Sequence, residues 1–91
     1  MMRQSLAIQT LSALAHDTRL NVYRLLAGLS PDGMSAGDIA AKLKIPPTSL
    51  SNHLGILARA GVVTHERKGR LIIYRARPDR VVALSRLLAE G

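Results

Sequence analysis

Apolar positions recur first at helical spacing along this chain and later at strand spacing. In residues 5–16, Leu6, Ala7, Leu11, Leu14 and Ala15 line one side, with Ser5 available as an N-terminal cap. Residues 18–27 repeat the pattern behind Asp17, a second capping side chain, with an inner stripe of Leu20, Tyr23 or Val22, Leu26 and Ala27; Gly28 stops the helix. The segment 29–34 carries a Pro-Asp-Gly turn signal. Ser35 and Asp38 form a shortened capping box before a third helix bearing Ile39, Ala40 and Leu43. Ile45-Pro46-Pro47 ends that helix. The first proline forces an extended residue before it, and the second has its φ preset for the first turn of a new helix, ending at Gly61.

After Gly61 the period changes. Residues 62–66 and 71–76 are rich in β-branched side chains and predict two strands. Arg67-Lys68-Gly69-Arg70 connects them, with Gly69 able to take the positive φ of a tight hairpin. Pro78 and Asp79 open a last helix, 79–89, with Val81, Leu84, Leu87 and Leu88 on one side. Two helices joined by a turn of about three residues, followed by a hairpin, is the order of a winged helix-turn-helix. The expected fold class is mostly α with a small β-hairpin, a single domain over 1–91.

The fourth helix divides by face. Leu50, Leu54 and Leu57 lie at i, i+4 and i+7 and point to the core. Pro47, Thr48, Ser49, Ser51 and Asn52 give the N-terminal end a face of small side chains, able to reach base edges while the helix terminus meets a phosphate. Asn52 is the most informative, since its amide can pair bidentately with adenine. His53 is left between a packing residue, a phosphate contact, or both. In the hairpin, Arg67, Lys68 and Arg70 are expected on phosphates, and an arginine at the tip can enter a minor groove. A solvated helix start and a solvated turn are the plain alternatives. The order of turn, polar helix and basic wing favours double-stranded DNA.

Charge strengthens that expectation. The net charge is +7, and residues 1–58 carry five basic against three acidic groups, whereas residues 59–91 carry eight against three. The second half therefore attracts polyanions. Composition bounds the core: 47% of the 91 residues are apolar, but there is no Phe or Trp and only Tyr23 and Tyr74 supply rings. A chain this short buries about 60–65% of its unfolded surface, so association is an expected source of further burial. Apolar stripes on both terminal helices predict a homodimer, with Leu6, Leu11, Leu14, Val81, Leu84 and Leu88 in the interface.

Several classes are excluded as expectations. Without cysteine there is neither a disulfide framework nor a thiolate metal site. Gln9, Thr10 and Ser12 interrupt any apolar targeting segment, and no stretch approaches membrane-spanning length, which predicts a cytoplasmic protein with no membrane partner. No nucleophile–base pair, phosphate-cradling glycine loop or cofactor motif is present, so no catalytic residues, metal or cofactor are assigned and no enzyme is expected.

Residues 6 to 77 resemble the ArsR/SmtB family of bacterial winged-helix repressors. Four signatures carry the resemblance: D-x-T-R at Asp17, Thr18 and Arg19; S-x-H-L at Ser51, Asn52, His53 and Leu54; A-G-V-V at 60–63; and G-R-x-x-x-Y-R from Gly69 to Arg75. It implies a homodimer built from the first and last helices, bound to an inverted-repeat operator and repressing transcription until an inducer lowers affinity. Two departures bear on regulation. Where metal-sensing members carry C-x-C-D, this chain reads Ser35-Ala36-Gly37-Asp38, and its last helix has no His; His16, His53 and His65 lie on three different elements. Pro46 also stands where relatives often place a Ser cap. The expected regulator is therefore a cysteine-free member that does not sense metals through thiolates, with an unidentified organic or protein effector left open. A winged-helix protein–protein interaction module is the alternative reading.

Overall fold

Two neighbouring helices, α1 (Gln4–Leu14) and α2 (Asp17–Gly28), open the fold, and α3 (Ala36–Leu43) and α4 (Pro47–Arg59) follow across a short strand, β1 (Met34–Ser35). The hairpin β2 (Val63–Lys68) and β3 (Leu71–Ala76) then leads into α5 (Pro78–Glu90). The computed structural model describes residues 2–90. The two helices, the three-residue turn Lys44-Ile45-Pro46 and the hairpin stand where the sequence pattern put them.

Local chemistry moved several boundaries. Helix α1 begins at Gln4 behind Arg3, so Ser5 is inside the helix and caps nothing. Asp17 is likewise not the cap of α2. His16 is: its backbone is extended (φ −157°, ψ 130°) and its Nδ1 accepts the Thr18 N–H at 3.1 Å. Asp17 is the first helical residue, where its charge still favours the positive end of the dipole. Gly28 is the last helical residue, not the stop; the Leu29 N–H closes the final turn on Leu26, and the reversal comes at Gly33 with φ +79°. In α2 the buried stripe is Val22, Tyr23 and Leu26, leaving Leu20 exposed. The Ser35 Oγ accepts the Asp38 N–H at 3.2 Å, the half of the capping box that stabilises α3. At its far end Lys44 takes the left-handed conformation (φ 55°, ψ 47°), which usually falls to Gly or Asn.

Strand β1 was not anticipated. It pairs antiparallel with β3, Met34 opposite Tyr74 and Ser35 opposite Ile73, so the sheet order is β1-β3-β2 and the returning strand of the hairpin is central. Val62 is outside β2, whereas Arg67 and Lys68 lie within it, and the connection shortens to Gly69-Arg70.

One aliphatic core joins Ala13, Val22, Tyr23, Leu26, Ile39, Ala40, Leu50, Leu54, Leu57, Ala60, Val62 and Val63. Truncating any of Leu50, Leu54 or Leu57 to Ala removes a fully enclosed side chain and costs roughly 2–5 kcal/mol. A smaller cluster of Met2, Ala7 and Leu84 ties α1 to α5, flanked by Leu6, Ala83 and Leu87. Leu84 is thus covered within its own chain, and Leu14 and Val81 pack partly on the main core. Ile8, Leu11, Val82 and Leu88 remain exposed, at 58%, 41%, 48% and 61%. An open groove of about 810 Å³ beside Met2, Val82, Ala83 and Leu87 runs along α5.

Candidate nucleic-acid interface

Helix α4 is fixed from below by Leu50, Leu54 and Leu57, all within about 1% of complete burial. That anchoring leaves Pro47, Thr48, Ser49, Ser51 and Asn52 exposed. The helix starts on Pro46 (φ −56°, ψ 135°) with Pro47 at its first position and no side-chain cap. Pro47 has no N–H to lose, and the next N–H groups have no intrahelical acceptor. The positive end of α4 is therefore open to an external anion. Thr48 and Ser49 do not cap it in place of a serine at position 46.

His53 is placed differently. It is half-buried between α1, α2 and α4, its ring centroid 4.7 Å from that of His16 and its Nδ1 3.4 Å from the Arg19 Nη1. A guanidinium only donates, so the His53 Nδ1 is the acceptor and its proton rests on Nε2. Burial, then His16, then Arg19 hold the imidazole below its ordinary pKa. Packing, one of the two roles left open for His53, is what these contacts show. Arg19 was quoted within a sequence signature but given no role there; its partner is 34 residues away, a separation no local pattern reveals.

The wing projects directly from the corner that ends α4. Gly61 has φ +78°, and the Arg80 guanidinium lies over it, 2.9 Å from where a Cβ would stand. In the hairpin, Gly69 has φ +62° while Arg70 stays at negative φ, the pattern of a type II′ turn, whose twist suits two antiparallel strands. Arg67 pairs with Ile72 and Lys68 with Leu71, so these two cations are on opposite faces. Arg67 shares the face of His65 and Tyr74, whose rings are 5.4 Å apart; Tyr74 packs on the main core.

Arg67, Lys68 and Arg70 are exposed, and among the described residues none forms an ion pair or side-chain hydrogen bond. Arg75 differs. It is paired with Glu66 at 2.6 Å and its Nε donates to the Pro31 carbonyl at 3.1 Å, fastening the wing root to the 29–33 loop. The wing thus separates cations held by the fold from cations open to a ligand. Among the described residues no three His, Asp or Glu side chains converge as metal ligands, and no helix is long and apolar enough to cross a membrane.

This arrangement of helix and wing recurs in known proteins. A family described as Helix-turn-helix domain matches residues 14–66, more than half of the chain. The transcriptional repressor SdpR of Bacillus subtilis is 42% identical over 62 residues, covering 68% of this chain and 66% of the relative. The chain therefore spans about two thirds of that protein's length. An ArsR-like transcriptional regulator from Rhodococcus sp. RHA1 superimposes with a TM-score of 0.84 at 27% identity, over 94% of this chain and 78% of the other. The chain belongs to the ArsR-type winged helix-turn-helix regulators. Another structure with this fold is the winged helix-turn-helix domain of Mb0332 from Mycobacterium bovis, a possible ArsR-family regulator described as homodimeric. It matches with a TM-score of 0.77 at 28% identity, over 94% of this chain and 80% of that one.

Proposed function

We propose that this ArsR-type regulator is a homodimeric, sequence-specific DNA-binding repressor acting in the cytoplasm, with no catalytic role. Pro47, Thr48, Ser49, Ser51 and Asn52 present α4 to base edges in the major groove, and Arg67, Lys68 and Arg70 hold flanking phosphates. His53 contacts the backbone beside them through its Nε2–H. The observation that carries this reading is the pairing of an uncapped, short-side-chained helix start with three unpaired wing cations.

Dimerisation through the terminal helices rests on the exposed Leu11 and Leu88, to which Ile8 and Val82 are added, with Leu6, Leu14 and Val81 at its margin; Leu84, covered within its own chain, supports the helix pair from beneath. The large exposed apolar side chains on α1 and α5 support it, as does the homodimeric relative. A two-fold dimer places its half-sites about one helical turn apart, near 34–36 Å, on an inverted-repeat operator. An organic or protein effector acting at the dimer interface is left open, as no thiolate or clustered imidazole is available to a metal among the described residues.

The test is footprinting on DNA upstream of the chain's own gene, with competition by unrelated duplex. Two protected half-sites one turn apart, and a preference that survives competitor, are the expected result. Equal affinity for every duplex, or none at all, refutes specific binding and favours a protein-interaction module.

A further inference from the structure

Arg19 stands in the first turn of α2, and its guanidinium serves acceptors on two other elements. Its Nε donates to the Ala13 carbonyl at 2.6 Å and its Nη2 reaches the Ser12 carbonyl at 3.5 Å. Both carbonyls are in the last turn of α1, where no intrahelical N–H remains to satisfy them. The third nitrogen, Nη1, meets the Nδ1 of His53 on α4 at 3.4 Å. His16 closes the same junction. Its Nδ1 caps α2 and its ring lies against His53.

We propose that Arg19 is the positioning residue of the recognition helix, locking α4, through the Nδ1 of His53, to the C-terminal end of α1. The inference rests on reading α4 as the helix that contacts DNA. It gives α1 a second role: as a dimerisation helix, it passes any change in its own seating through the Arg19 fork to the base-contacting face. Only a planar fork can bridge two carbonyls and an imidazole together. A lysine ammonium keeps the charge but not that geometry. A direct side-chain hydrogen bond from α1 to α4, Gln9 Nε2 to the Arg59 carbonyl at 3.4 Å, holds the C-terminal end of the helix.

The test uses Arg19→Lys and Arg19→Ala in the full chain. Circular dichroism establishes folding, 15N NMR of the His53 ring reports tautomer and titration, and binding is compared on operator and random duplex. In folded R19K the single Nε2–H tautomer should give way to a mixture, and in R19A, which removes the charge as well, His53 should titrate higher. The operator-to-random affinity ratio should fall about tenfold or more, with random-duplex affinity falling far less because the charge is kept. Retention of either the tautomer or the affinity ratio in R19K overturns the proposal. If wild type shows no operator preference, it is the DNA-binding reading that fails, and the tautomer and titration then decide whether Arg19 positions His53.

Discussion

Replacing Arg67, Lys68 and Arg70 together by Ala tests how the wing meets DNA. All three are exposed and none is engaged among the described residues, so the triple variant should fold normally, each change costing within about 0.5 kcal/mol. Each phosphate contact steepens the fall of log affinity with log salt by about 0.9. Three lost contacts therefore flatten the slope by about 2.7, and between 50 and 200 mM salt the variant loses about 40-fold less affinity than wild type. The register sharpens the expectation. Arg67 and Lys68 project from opposite faces of the hairpin, so both reach phosphate only if the tip enters a groove with a strand on either side. A wing lying flat engages two cations and changes the slope by about 1.8. Fluorescence anisotropy on random duplex across that salt range separates these cases, and an unchanged slope refutes contact between the wing and the backbone.

Four further outcomes are expected. Ser51→Ala or Asn52→Ala should lower the ratio of specific to non-specific affinity by about 1–3 kcal/mol for a lost base contact; full discrimination in both removes α4 as the specificity element. His53 binds its proton less readily folded than unfolded, so its stabilisation is complete above the ordinary imidazole value of about 6.5 and declines as pH falls through it toward the folded value. Urea midpoints should therefore drop on acidification more in wild type than in His53→Gln, and equal pH slopes reject the assignment. Gly33→Ala should destabilise by well over 1 kcal/mol, because φ is +79° and a Cβ would press into the Tyr74 carbonyl oxygen; a melting temperature equal to wild type contradicts that. Stoichiometric Zn(II), Cu(I), arsenite or peroxide should leave DNA affinity unchanged, and reversible release by any of them would reveal a site not described above.

Most of the architecture was legible because it rests on local rules. The Pro46-Pro47 pair, Gly61 and the β-branched runs punctuate the chain whatever surrounds them, and wing charge needs no tertiary context to be read. The failures share one cause. Strand β1 is two residues long and exists only because Ile73 and Tyr74 come alongside it, a pairing across nearly half the sequence. Asp17 has the better capping chemistry, but the extended backbone at His16 puts the imidazole over the first N–H groups instead. Leu20 fits the stripe by spacing, yet the core meets α2 along Val22, Tyr23 and Leu26. At the candidate interface the exposed residues were found and the support was not, since Arg19 and Arg75 act through partners 34 and 44 residues away.

The sheet order gives the hairpin the mechanics of a cantilever. Strand β1 clamps β3 at Ile73 and Tyr74, and Arg75 bolts the same level to Pro31, so everything from Arg67 to Ile72 overhangs on a two-stranded beam. That overhang is roughly 10 Å at the usual rise per strand residue, and an isolated two-stranded ribbon has little stiffness of its own. Bending is therefore concentrated where the three open cations sit. The tip can follow grooves of different width while the root, and α4 behind it, keep their pose. Amide exchange should be graded accordingly, fast at Leu71 and Ile72 and slow from Ile73 inward.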